Sequence, residues 1–113
     1  MAGEDYGVAS DIILIHPYPH FLNNIFRLKT FEELGVSEEI RRAIEELGFE
    51  HPMPVQEEVI PYLLGNGNDV IALAQTGTGK TAAFGIPLLQ RTDPTSRTTQ
   101  AIVISPTREL CLQ

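Results

Sequence analysis

The 113-residue sequence predicts an α/β fold, a parallel sheet flanked by helices, and three observations carry that prediction. Asp69-Val-Ile-Ala-Leu-Ala74 is a short continuous apolar run, the pattern of a strand buried on both faces of a parallel sheet. A glycine-rich turn follows it and leads into a helix from about Gly79. Ala101-Ile-Val-Ile104 is a second run of the same kind, stopped by Pro106. Strand, turn, helix, polar loop and strand make one βαβ unit.

Residues 1–29 read unlike the rest. Pro17, Pro19, His16 and His20 interrupt a mixed apolar stretch that has neither helical nor strand period. This segment is expected to be a loosely ordered extension without an assigned role. Order is expected from about Thr30 onward, so residues 30–113 form the domain. Ser37 precedes Glu38 and Glu39, acids suited to the free N–H groups of a first helical turn. Ile40, Ala43, Ile44 and Leu47 follow at the spacing of one buried face, and Gly48 supplies a left-handed end, so a helix is expected over 38–47.

Pro52 and Pro54 force an extended entry to the next element, and Pro54 suits the first position of a helix over 54–64. Val55, Val59, Tyr62 and Leu63 give it an apolar stripe, while Pro61 predicts a kink or an early end. Gly-Asn-Gly-Asn at 65–68 is turn material. Pro87 lies too deep in the helix after Gly79 to be free of cost, so a kink or stop is expected near it. Arg91 to Thr99 reads as a polar loop.

Composition excludes several classes. Net charge is −7, with residues 1–30 giving −1, residues 31–68 giving −7 and residues 69–113 giving +1. The acidity thus sits on one helical segment, the pattern of a solvated face, and no basic stripe announces nucleic acid. The single cysteine, Cys111, excludes an internal disulfide and fits a reducing, cytoplasmic compartment; its position reads as packing. His16, His20 and His51 lack metal-ligand spacing. The longest apolar run near the start, Ile12 to Ile15, is too short for a membrane span or a signal-peptide core, so no membrane partner is expected.

The chemistry-bearing segment is Ala74-Gln75-Thr76-Gly77-Thr78-Gly79-Lys80-Thr81. A chain that wraps a phosphate needs positive φ angles and no side chains in the way, which Gly77 and Gly79 supply. Backbone N–H groups then face the anion, assisted by the helix N-terminus. Lys80 can reach the β- and γ-phosphates as a point charge, and the Thr81 hydroxyl can ligate Mg²⁺. The strict pattern G-x-x-x-x-G-K-[ST] has glycine where this chain has Ala74, so the match is missed by one position.

Three segments together resemble the DEAD-box RNA helicases, over Phe31 to Gln113. Residues 74–81 are similar to that family's motif I, whose first position is normally alanine. Gly48-Phe49-Glu50-His51-Pro52-Met53-Pro54-Val55-Gln56 resembles the Q motif, and Phe31 stands 17 residues before Gly48, at the family's isolated upstream aromatic. Residues 106–113 resemble motif Ia. The resemblance implies a RecA-like P-loop domain that binds ATP with Mg²⁺. In it Gln56 would read the adenine edge and Phe49 would stack on the ring, with Phe31 beside it. A primary amide matches the donor and acceptor of adenine N6 and N7, and such a site rejects guanine. The resemblance also implies RNA as partner, with Pro106, Thr107 and Arg108 at its backbone, where contacts position without specifying sequence.

The same resemblance sets expectations about extent. The chain is expected to be a partial RecA-like domain, truncated after the second core strand. The Asp-Glu-Ala-Asp acids, the Ser-Ala-Thr motif and the second RecA-like domain do not occur in its 113 residues. Phosphoryl transfer depends on positioning and charge neutralisation from such groups, so no catalytic residue is assigned. Two other readings fit the same residues: another P-loop ATPase such as a DNA helicase, and an inactive gene remnant.

Overall fold

In the computed structural model the residues described are 11–14, 28–65 and 69–113. The elements in chain order are β1 (Asp11–Leu14), α1 (Glu38–Glu46), α2 (Pro54–Leu64), β2 (Val70–Leu73), α3 (Lys80–Arg91) and α4 (Arg108–Leu112). The α/β class expected from the sequence is therefore present, but the second strand comes from the other end of the chain. β1 pairs with β2 in parallel, Asp11 opposite Val70 and Leu14 opposite Leu73. Ala101 to Ile104 forms no strand, and Ile102 and Ile104 are 79% and 89% exposed. An apolar run becomes a strand only when a partner edge accepts its hydrogen bonds, and β2 already pairs with β1 on one edge.

The reading of residues 1–29 as a loosely ordered extension is corrected in the same way at Asp11–Leu14, which form a strand. Pro17, Pro19, His16 and His20 lie outside the described residues, as does the turn expected at 66–68. Burial of β2 also departs from expectation. Val70 and Ala72 are half-buried, whereas Ile71 and Leu73 are 43% and 55% exposed. Among the described residues, α2 and α3 cover one face of the strand, and the alternation follows from that single layer.

α1 begins and ends where its sequence signals lie. Gly48 adopts φ +85° and donates its N–H to Glu45, while the Phe49 N–H reaches Ile44. These two bonds are a Schellman cap, which only a residue tolerant of positive φ completes cheaply. The buried face is narrower than predicted. Ile44 is buried and Ile40 packs against the core, but Ala43 is exposed and Leu47 is 74% exposed. Of the four positions, only Ile40 and Ile44 meet the rest of the fold.

α2 starts at Pro54 as expected, and its stripe runs through Val55, Gln56, Val59 and Ile60, with Tyr62 and Leu63 only half-buried. Neither Pro61 nor Pro87 ends its helix. α2 continues to Leu64 and α3 continues to Arg91. Each proline removes one internal hydrogen bond, and packing outweighs that loss. Pro87 is itself fully buried, α2 packs along α3, and Arg91 Nη1 donates to the Leu63 carbonyl at 2.8 Å. Gln90 ties the preceding segment to the same helix, accepting from Ser37 N–H at 2.8 Å and donating to Gly35 O at 2.9 Å.

Two apolar clusters result. Phe31, Leu34, Val36, Ile44, Ile60 and Ile86 form one, and Val55, Val59 and Ala83 form the other, backed by Ala72 and Ala74 of the strand. Side chains of this size contribute roughly 1.5–3 kcal/mol each on full burial. The second cluster holds strand, loop and helix together directly under the phosphate-loop segment. No helix among the described residues is long and apolar enough to cross a membrane.

Candidate nucleotide-binding site

β2 delivers the chain to Ala74, and α3 takes it up again at Lys80. Between them Gly77 and Gly79 adopt φ +75° and +82°, the left-handed values that the sequence reading required. Gly79 is also sterically obligatory. A Cβ there would stand 2.4 Å from Gln56 Nε2 and 3.3 Å from Met53 Cγ. At Gly77 a Cβ would meet nothing within 4 Å, so the turn is open on that side.

The loop's donors and acceptors are unevenly used. Thr78 Oγ1 donates to Gln75 O at 2.5 Å, and Lys80 Nζ donates to Ala74 O. Lys80 thus folds back across its own loop and neutralises a carbonyl dipole at the strand end. The backbone N–H groups of Thr76, Gly77, Thr78, Gly79, Lys80 and Thr81 donate to no acceptor among the described residues. Thr76, Gly77 and Thr81 are exposed and Thr78, Gly79 and Lys80 half-buried, and a row of such N–H groups at a helix start suits an anion. This is the observation against which a triphosphate is tested, and the donor set fits it. Thr81 is exposed at the first turn of α3, so its hydroxyl is accessible to a metal ion. No group of three or more His, Cys, Asp or Glu among the described residues could hold a metal by itself.

Gln56 lies at the third position of α2 and is fully buried. Its Oε1 accepts from the Met53 N–H at 2.9 Å, and its Nε2 donates to Gly79 O at 3.1 Å. The first bond is half of a capping box, the use of glutamine at this helical position. The second connects α2 to the phosphate loop 23 residues away in sequence. One N–H and one oxygen lone pair of the amide remain beyond these two bonds. The spacing Pro54 to Gln56 could have signalled the cap from sequence; nothing local signals the bond to Gly79.

Phe31 and Phe49 line the same hollow but are unequally covered. Phe31 is 6% exposed and belongs to the core, whereas Phe49 is 39% exposed. Both line a hollow of about 580 Å³ that also receives Arg41, Ile44, Glu45 and His51. A second hollow of about 630 Å³ opens in front of Lys80 and Thr81, walled by Val55, Val59 and Phe84 on one side and Ile104 and Pro106 on the other. Among the described residues no Asp or Glu lines it.

Pro106, Thr107 and Arg108 lie at the start of α4 and are exposed. Thr107 Oγ1 accepts from Leu110 N–H at 3.3 Å and so caps that short helix. Its hydroxyl proton stays available to an acceptor. Cys111, expected to pack, is exposed, because α4 buries none of its residues.

Residues 53–113 match the DEAD/DEAH box helicase family. Among curated proteins the chain is similar to the ATP-dependent RNA helicase DeaD of Haemophilus influenzae, 55% identical over 84 residues, covering 74% of this chain and 14% of that protein. It is also similar to the DEAD-box ATP-dependent RNA helicase CshA of Bacillus cereus, 52% identical over 86 residues, 76% of this chain and 16% of the other. The Escherichia coli K12 protein DeaD is 54% identical over 84 residues, 74% and 13% of the respective chains. The chain therefore spans about one-seventh of the length of the relatives it matches. A matching domain over more than half of the chain, with the phosphate loop inside it, places this protein in the DEAD/DEAH box helicase family.

Proposed function

We propose that this chain is the nucleotide-gripping portion of a RecA-like motor domain, and that in the working protein ATP hydrolysis drives RNA-duplex unwinding. The observation that carries this reading is the phosphate loop: free N–H groups from Thr76 to Thr81, glycines at positive φ, and a lysine folded over the turn. The RNA substrate class rests on the relatives' names, which call them ATP-dependent RNA helicases.

In this reading the triphosphate lies along Gln75, Thr76, Gly77, Thr78, Gly79 and Lys80. Its charge replaces the Ala74 carbonyl as the partner of Lys80, so binding exchanges an internal hydrogen bond for a charge-assisted one, which is roughly twice as strong. Thr81 would hold Mg²⁺ through its hydroxyl, and the ion would supply charge neutralisation to the phosphates. The base enters the hollow between Phe31 and Phe49, where Phe49 offers its exposed face for stacking. Gln56, which the resemblance assigns to the adenine edge, is fully buried and does not line that hollow, so in this reading its amide must be uncovered to meet the base, while its bonds to Met53 N–H and Gly79 O fix the loop. Pro106, Thr107 and Arg108 meet the RNA backbone from an exposed turn. Among the described residues no acid lines the hollow before Lys80 and Thr81, so in this reading they grip the nucleotide and none of them is assigned to its turnover.

The experiment is competition binding of ATP against GTP to the protein and its Gln56→Ala and Phe49→Ala variants. Both substitutions are expected to weaken ATP and to narrow its advantage over GTP. Unchanged selectivity in both would remove the base from the Phe31–Phe49 hollow.

A further inference from the structure

The hollow between the two aromatic residues contains a group that no reading of the sequence singled out. Arg41 projects from α1 and lines the hollow together with Phe31 and Phe49. One of its terminal nitrogens, Nη1, pairs with Glu32 Oε2 at 3.1 Å, which anchors the guanidinium beside the segment carrying Phe31. Its Nε is covered by surrounding atoms and has no hydrogen-bond partner among the described residues. A covered N–H donor without an acceptor is costly, and in a native fold each such group calls for an explanation. Here the donor belongs to a side chain at the wall of a ligand-sized hollow.

We infer that Arg41 is a nucleotide-contacting residue, whose guanidinium donates a hydrogen bond to a ring nitrogen of the purine held between Phe31 and Phe49. The inference rests on the base site proposed above and adds a residue to it. Guanidinium groups are donors only, and an adenine ring offers acceptors at N1, N3 and N7. They also lie flat against aromatic and purine faces, which suits a slot with Phe31 behind and Phe49 partly open. Glu32 holds Nη1, so Nη2 and the unpartnered Nε are the donors left for a base. The Arg41–Glu32 pair is itself weak, because Glu32 is 71% exposed. The guanidinium can therefore shift toward a ligand at little cost.

The test is calorimetric titration of the protein and its Arg41→Met variant with ATP and with its 1-deaza, 3-deaza and 7-deaza analogues. Met keeps the length of the side chain and removes every donor. The expected result is ATP binding weakened by about five- to tenfold in Arg41→Met, the range of one lost hydrogen bond. One deaza analogue should bind the parent several-fold more weakly than ATP, and that difference should vanish in Arg41→Met. ATP bound equally by both proteins overturns the inference. So does weakened binding in which every deaza penalty of the parent persists, because Arg41 would then act only on the shape of the hollow. A parallel titration of Phe49→Ala separates the two readings: if its preference for adenine is intact, the base site itself is misplaced and Arg41 falls with it. If Phe49→Ala loses that preference while Arg41→Met binds like the parent, the base site stands and Arg41 alone is excluded from it.

Discussion

Replacing Gly79 with alanine should damage the domain in a way that depends on Gln56. A new Cβ at position 79 would stand 2.4 Å from Gln56 Nε2 and 3.2 Å from Gln56 Cδ. It would also force an L-residue into φ +82°, which costs roughly 1–2 kcal/mol. The Gln56 amide must then leave its place between Met53 N–H and Gly79 O, and each buried group left unpaired costs about 1–3 kcal/mol. Gly79→Ala alone is therefore expected to cost roughly 2–5 kcal/mol, a large share of the ~5–15 kcal/mol of a typical domain. In a Gln56→Ala background the clash with the amide is gone, and the backbone strain and the 3.3 Å approach to the flexible Met53 side chain remain, so the same change should cost only about 1–2 kcal/mol. The assay is urea denaturation of the four proteins of this cycle, with coupling read as the departure from additivity. Equal costs of Gly79→Ala in the two backgrounds, within ~0.5 kcal/mol, would refute the contact between α2 and the phosphate loop.

Three further outcomes follow from the same structure. Asp93 accepts hydrogen bonds from Thr95 Oγ1 at 2.7 Å and Thr95 N–H at 2.9 Å, and these hold its carboxyl below the usual carboxylate range. The stabilisation is thus present above the unfolded pKa of aspartate and fades as pH falls through the folded one; Thr95→Ala should raise the Asp93 pKa followed by NMR, and an unmoved titration would contradict the assignment. Val59 is 2% exposed beneath the loop whereas Ile104 is 89% exposed, so Val59→Ala should cost roughly 1–3 kcal/mol and Ile104→Ser within about 0.5 kcal/mol; the reverse ranking in chemical denaturation would place Ala101–Ile104 in the core. Deleting residues 1–27 removes the partner of β2 and should speed amide exchange at Val70–Leu73; unchanged protection there would show that β1 does not pair.

The helices and the glycine turn before α3 were legible because their signals are local. Ser37 with Glu38 and Glu39, Gly48 at the exit, Pro54 at the entry and the Gly77–Lys80 turn all act within a few residues. What escaped was decided by partners distant in sequence. Asp11–Leu14 is too short to show a period, and it became a strand because β2 accepts it. Ala101–Ile104 has the better strand composition and remains outside the sheet. Pro61 and Pro87 were given their intrinsic cost, but the α2–α3 packing that overrides it could not be seen in either helix alone. The site divides along the same line. Gly77, Gly79 and Lys80 announced themselves by type and order, whereas the Gln56–Gly79 bond and the placement of Arg41 beside Phe31 exist only in three dimensions.

The central claim is that the segment from Gln75 to Thr81 holds the phosphates of ATP, with Lys80 leaving the Ala74 carbonyl to do so. In the working protein proposed above, ATP turnover with and without the Lys80→Ala substitution, measured side by side with RNA present, tests it most directly. Near-complete loss of turnover is expected, because the charge that meets the γ-phosphate is gone and, among the described residues, no other cation lines the hollow in front of the loop. Turnover within a fewfold of the parent would contradict it.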